Sequence, residues 1–287
     1  MATLHAALVT PLSGPLALYG QAAAQGLALW AKSAARLRAP WTEVQLDIRD
    51  TGKNTSAAIR EAKATCPDVM FGPYGSHAML VAARATERVI WNHGGATSEL
   101  ARPGFAHVIN VLSPARAYFA AVLQAVHAAD PLATSVSLLH STTGFGQDVA
   151  TGAKAEATAL GMTIHSVPYA PSQGVSAASQ VQPTDILLVV GNFADERAVA
   201  PILLAHPFRF AAFVGAGVEE VLSDLADLRE GVLGPAQWQA SSAPEPDEGP
   251  NASWFVSQYR ATYGADPSYP ACRRTAVCTL SARYWQR

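Results

Sequence analysis

The sequence predicts an α/β protein built from two consecutive sets of doubly wound, parallel-sheet units. Three observations lead there. Short apolar runs alternate with helical stretches along most of the chain, the βαβ rhythm of a parallel sheet with helices on both faces. Runs such as Leu187-Leu188-Val189-Val190 and Ala211-Ala212-Phe213-Val214 are continuously apolar, as strands buried on both faces require. The 287 residues are too many for one typical domain and suit two, and the pattern begins again after Ser113-Pro114.

The elements follow in order. His5–Val9 is the first strand, ended by Pro11-Leu12-Ser13-Gly14-Pro15, and Gly20–Leu37 reads as a helix. Val44–Ile48 is the second strand, with Asp47 and Asp50 near its end. Asn54 or Thr55 can cap the helix Ser56–Thr65. Val69–Phe71 is the third strand, Ala78–Arg88 the third helix, and Val89–Asn92 and His107–Val111 the next two strands. In the second set, helix Ala115–Ala129 precedes strand Val136–His140, and helix Gln147–Leu160 precedes strand Met162–Val167. After the small polar segment Ala170–Ala178 come strand Asp185–Val190, helix Asn192–Ala205 and strand Phe210–Val214. Val218–Leu228 is expected as a helix and Val232–Trp238 as a last strand. Ala240–Pro250, rich in Pro, Ser and acid, is linker-like. Two helices close the chain: Asn251–Tyr263, stopped by Gly264, and Tyr269–Arg287.

Composition narrows the function. Hydrophobic residues make up 49% and charged residues 15%, which supplies cores and argues against disorder. The net charge of −2 offers no basic surface for a phosphate backbone, so nucleic acid is not an expected partner. No run of about 18 apolar residues is present, so no transmembrane helix is expected. Met1–His5 leads straight into a strand without a signal-peptide pattern, which suits either a cytoplasmic protein or a mature form. Cys66, Cys272 and Cys278 suggest buried free thiols and no disulfide framework.

Familiar catalytic patterns are missing. The chain has no G-x-x-x-x-G-K-[ST], no G-x-G-x-x-G after a strand and no G-x-S-x-G. The eight histidines show no metal-ligand spacing, so no metal, cofactor or enzymatic activity is expected. Ser76 and His77 are adjacent at a helix start and point apart, so they make no nucleophile–base pair.

What remains is Asp68–Leu100. Two strands there each end in a small-residue loop, Gly72-Pro73-Tyr74-Gly75-Ser76 and Asn92-His93-Gly94-Gly95-Ala96-Thr97-Ser98. Such loops gather free backbone N–H groups, a hydroxyl and the positive end of a helix dipole. In parallel α/β sheets ligands bind at these carboxyl ends of strands. The stretch is expected to form half of a small-molecule cleft gripping an anionic group, a carboxylate above all.

Together these motifs resemble the type 1 periplasmic solute-binding proteins, the branch similar to the leucine/isoleucine/valine-binding proteins of ABC importers. Pro11-Leu12-Ser13-Gly14-Pro15 with Tyr19-Gly20 resembles that family's first loop, and Asp50-Thr51-Gly52 its turn after the second strand. The two loops of Asp68–Leu100 resemble its third- and fourth-strand loops. Gly144-Phe145-Gly146 resembles the Tyr/Phe-Gly loop of its second lobe, and Tyr269-Pro270-Ala271 the opening of a late helix. The motifs run in the family's order over nearly the whole chain. The resemblance implies two doubly wound lobes with the ligand cleft between them, here 1–113 plus 241–287 and 114–240. It further implies capture of a small carboxylate-bearing ligand, an amino acid or an aromatic or aliphatic acid, outside the cytoplasm, by a monomer or weak dimer. Delivery would be to the membrane subunits of an ABC importer. The alternative expectation is a cytoplasmic ligand sensor on the same fold. Members carry a signal peptide and continue beyond the helix matching Tyr269–Arg287, and this sequence departs from both patterns.

The resemblance also assigns a site. Ser76 would donate to the carboxylate, although a Ser there can equally be a plain N-cap. Gly94, Gly95 and Ala96 match the loop that offers backbone groups to an amino acid, with Thr97 beside them as a possible hydroxyl donor. The glycines can instead serve backbone conformation alone. Tyr19 and Tyr74 would wall the mouth, and Phe145 and Phe193 would form the apolar wall of the second lobe, or simply pack in the core. Gly217 stands where amino-acid binders place an acid. Glu219, or Glu220 beside it, would substitute if the loop is longer, or merely favour a helix dipole.

Overall fold

The computed structural model describes residues 2–32, 40–218, 220–243, 245, 250–268 and 271. The chain divides into two compact units, Met1–Leu112 with Gln237–Arg287, and Ser113–Ala236.

The first unit holds a five-stranded parallel sheet of β1 (Ala2–Thr10), β2 (Trp41–Asp50), β3 (Val69–Phe71), β4 (Ile90–Asn92) and β5 (Val108–Asn110), in the order β2-β1-β3-β4-β5. Leu8 of β1 lies opposite Ile48 on one side and Phe71 on the other. Alternate residues divide between two cores. Leu4, Ala6, Leu8, Val69, Phe71 and Trp91 pack with Leu27 and Trp30 of α1 (Ala17–Lys32). Ala7, Val9, Met70 and Ile90 pack on the other face with Ile59 of α2 (Thr55–Ala64) and Met79 and Ala82 of α3 (Ser76–Ala85). Both faces of β1, β3 and β4 are covered, so these strands carry apolar runs, whereas β2 at the edge alternates apolar and polar residues. On the outer side of α1, Phe255 and Tyr259 of α8 (Ala252–Tyr263) pack against Ala22 and Leu29. Asn251 caps α8 and Gly264, at φ 73°, ends it.

The second unit holds β6 (Ser135–Ser141), β7 (Thr163–Tyr169), β8 (Ile186–Val190) and β9 (Phe210–Phe213), all parallel, in the order β7-β6-β8-β9. Its helices are α4 (Ala117–Ala129), α5 (Gly144–Ala159), the short α6 (Gly174–Ala178) and α7 (Phe193–Leu203). Every residue of β8 is buried.

Two expected elements differ. Val218–Leu228 is not an α-helix: 3-10 turns cover Gly215–Gly217 and Ser223–Arg229, with Ala226 at φ 46° breaking the second. Val218, Val221 and Leu222 are already buried in the tight turn, and Leu228 is left exposed, so no apolar stripe remains to dock a helix. Val232–Trp238 is not a strand either. It keeps one parallel bridge, Leu233 to Ala212, and then Pro235 breaks the ladder for want of an N–H. Trp238 packs in the first unit, its ring edge-on to Phe255 at 6.4 Å. The expected helix Tyr269–Arg287 with Cys272 and Cys278, and the end of the first helix at Leu37, lie outside the described residues, Ala271 excepted.

Candidate functional site

A doubly wound sheet opens a crevice where the strand order reverses, at the carboxyl ends of the two strands flanking the reversal. In the first unit that point lies between β1 and β3, and in the second between β6 and β8. The loops leaving those strands, with the first turns of the helices they enter, carry Tyr19, Tyr74 and Ser76 in the first unit, and Phe145 and Phe193 in the second.

In the first unit, Asp50 at the end of β2 fixes the loop after β1. Its carboxylate accepts the N–H groups of Leu12 (2.8 Å) and Gly52 (3.1 Å) and the Ser13 hydroxyl (2.6 Å). The Ser13 hydroxyl, ahead of the backbone donors, holds its carboxyl below the usual range. The loop leads into the first turn of α1, where buried Tyr19 stacks on Tyr74 at 4.9 Å between centroids and 12° between planes. Gly75, at φ 101°, turns the chain after Tyr74 and is itself the N-cap of α3, with no side chain capping the helix. Ser76 is therefore the first residue inside the helix and half-buried, and its hydroxyl is not spent as a cap. The first turn of α3 presents uncapped N–H groups at the positive end of the helix dipole.

The loop after β4 supports that turn. Asn92 is fully buried, and its Oδ1 accepts the N–H groups of Gly94 (3.3 Å) and Gly95 (2.8 Å). Its Nδ2 donates to the Gly95 carbonyl and to Asn110, both at 2.7 Å. The Gly94 carbonyl accepts the Gly75 N–H at 3.1 Å. A Cβ on Gly94 would lie 2.6 Å from the Tyr74 Cα, so glycine lets the loop lie flat on Tyr74. The two glycine amides thus serve the loop itself. Ala96 and Thr97 are buried, and Thr97 accepts the Glu99 N–H at the start of a 3-10 turn, Ser98–Ala101.

In the second unit, Thr143 caps α5 by accepting the Gly146 N–H at 3.1 Å. Phe145, half-buried in the first turn, meets Tyr118 edge-on at 5.8 Å. Asn192 caps α7 by accepting the Asp195 N–H at 2.8 Å, and half-buried Phe193 follows it. Two acids in the first turn of α7 are buried. Asp195 accepts from the Ser172 N–H (3.1 Å) and the Asn192 amide (2.7 Å). Glu196, wholly buried, accepts the Gly191 N–H on Oε1 (3.1 Å) and the Gly215 N–H on Oε2 (2.6 Å). Burial pushes its carboxyl up to about 8, outweighing the downward pull of the two amides, and Asp195 adds to the rise. Burial, with Asp195 and Glu196 nearby, likewise raises the phenol of Tyr169.

After β9, a Cβ on Gly217 would fall 2.2 Å from the Pro235 carbonyl oxygen, so that position has no room for a side chain. Glu220 is exposed, and Glu219 lies outside the described residues. Among the described residues no group of three His, Cys, Asp or Glu is placed to hold a metal ion. Sequence reasoning missed Asn92, Asp195 and Glu196 as organisers of these loops. The Asn192-x-x-Asp195 capping pattern was a legible signal for one of them.

Residues 3–282 match the model of a family described as periplasmic binding protein. Solved structures repeat the fold at low identity. A leucine-binding protein of Thermotoga maritima is 18% identical with a TM-score of 0.80, over 99% of this chain and 83% of its own. An ABC-transporter solute-binding protein of Rhodopseudomonas palustris, in complex with 3,4-dihydroxybenzoic acid, is 18% identical with a TM-score of 0.75, over 98% and 80%. A branched-chain amino acid transporter substrate-binding protein of Streptococcus pneumoniae, in complex with isoleucine, is 15% identical with a TM-score of 0.77, over 98% and 83%.

Proposed function

The chain belongs to the periplasmic binding protein family, and from that premise we propose that it is a non-enzymatic solute-binding protein for a small carboxylate-bearing molecule. In this reading the two units are lobes that close on the ligand, and the loaded protein delivers it, outside the cytoplasm, to the membrane subunits of an ABC importer. The observation that carries the reading is the open N-terminus of α3 beside the Tyr19–Tyr74 stack, at the switch point of the first sheet. An uncapped helix start offers N–H donors and a favourable dipole to an anion, and the rings offer an apolar wall to what the carboxylate is attached to. Ser76 adds a hydroxyl donor, the Gly94–Thr97 loop holds the donors in place, and Phe145 and Phe193 supply the wall of the other lobe.

The lack of room for a side chain at Gly217, where amino-acid binders place an acid, and the exposure of Glu220 support an aromatic or aliphatic acid over an α-amino acid. Benzoate-type and amino-acid complexes both occur among the solved relatives. Isothermal titration with benzoate, isovalerate, leucine and the neutral analogue benzamide separates these possibilities. The expected result is saturable binding of an acid and none of benzamide. Equal binding of benzamide, or no binding of any acid by a folded sample, refutes the reading.

A further inference from the structure

Glu196 has no role in the ligand contacts proposed above, yet its placement is costly. A wholly buried carboxyl ordinarily needs a cation, and its neighbour Arg197 is turned to the surface, paired with Asp224. Instead its two oxygens are divided between two loops: Gly191, directly after β8, and Gly215, two residues after β9. A Cβ on Gly215 would come 2.8 Å from Oε2 and 3.2 Å from the Phe193 ring. Carboxyl, ring and turn therefore meet at one glycine.

We propose that Glu196 is a positioning residue for the ligand site: by bridging Gly191 and Gly215 it locks Phe193 and the turn after β9 into a single wall. Only its consequence for affinity rests on the solute-binding reading; the bridge itself does not. Among the described residues, the ionisable groups facing Glu196 are Asp195 on its own helix and Tyr169 on β7, and β8 and β9 contribute none. With its carboxyl raised to about 8, Glu196 is protonated at neutral pH. Above that it becomes a buried carboxylate with no cation beside it among the described residues, and water entry that hydrates it opens the bridge.

The test uses the full chain, labelled with 15N, and benzoate as probe, since benzoate stays ionised over the range used. The Gly191 and Gly215 amide signals are expected to titrate together with a midpoint near 8, and not at all in Glu196→Gln. The dissociation constant for benzoate is expected to rise about tenfold from pH 7 to pH 9, as the protonated fraction falls from about nine-tenths to about one-tenth. It should stay flat in Glu196→Gln. Separate titration of the two amides, or a midpoint in the ordinary carboxylate range, overturns the bridge. Joint titration with unchanged affinity overturns the positioning role. Absence of benzoate binding at every pH counts against the solute-binding reading and the positioning role together, while the amide titration still decides the bridge. If Glu196→Gln does not fold, the wild-type titrations alone carry the decision.

Discussion

Replacing Asn92 by alanine removes the side chain that organises the loop after β4. Its four hydrogen bonds reach Gly94, Gly95 (twice) and Asn110. Gly94 is half-buried and Asn110 exposed, so water can replace two of those bonds. Gly95 is buried, and its N–H and C=O would be left without a partner. Two orphaned buried groups at about 1–3 kcal/mol each give a loss of about 2–6 kcal/mol. The chain supplies its own probe: all six tryptophans fall outside 113–236, so their fluorescence follows the first unit. Urea unfolding of Asn92→Ala should show the loss in that signal, with far-UV circular dichroism of the second unit's transition unmoved. Asn110→Ala, which removes the exposed acceptor of one bond so that water can take its place beside Asn92, should cost under about 1 kcal/mol. A loss below about 1 kcal/mol for Asn92→Ala, or one in the second unit's transition, would refute the reasoning.

Three further outcomes are expected. Ser76→Ala should weaken acid binding by about 1–3 kcal/mol without changing the urea midpoint, because the hydroxyl is proposed to donate to the ligand and does not cap the helix; an unchanged affinity removes Ser76 from the site. Tyr74→Ala should cost about 0.5–1.5 kcal/mol of stability beyond the lost area, and Tyr74→Phe, which keeps the stacked ring, should cost less, as measured by the same fluorescence; equal effects of the two would sink the stacking account. Glu196 is raised from 4.5 to about 8 in the folded chain, so its contribution is fully present below pH 4.5 and is lost as pH rises through about 8. The second unit should therefore weaken over that window, by at most on the order of 4–5 kcal/mol, and urea unfolding at pH 5, 7 and 8.5 followed by circular dichroism checks it. Stability that rises over the window contradicts the assignment.

Strands such as β1 and β8 were legible because burial on both faces leaves an unbroken apolar run. The start of α2 was legible from Asn54 or Thr55 as a cap, of which Asn54 is the one; Asn192 and Asn251, where two further helices were expected to begin, cap α7 and α8 in the same way, a side chain bonding its own backbone. The turn after β9 was not legible. Its valines and leucines carry a helical spacing, and the decision between helix and tight turn depended on the packing of Val221 at Gly215 and on the bond from Gly215 to Glu196, which lies 19 residues earlier. Glu196 was hidden for a related reason. A glutamate in the first turn of a helix ordinarily faces water and favours the dipole, and nothing local announces that two other loops will close over it. Asn92 was hidden too, since the glycines after it read as donors to a ligand and turn out to donate to Asn92.

The proposed function places the ligand's carboxylate at the open end of α3. The most direct measurement is the 15N shift of the Ser76, His77 and Ala78 amides as benzoate is titrated into the labelled chain. Large, saturable shifts are expected at these amides with benzoate and none with benzamide. Saturable benzoate binding that leaves all three amides unmoved would contradict that placement.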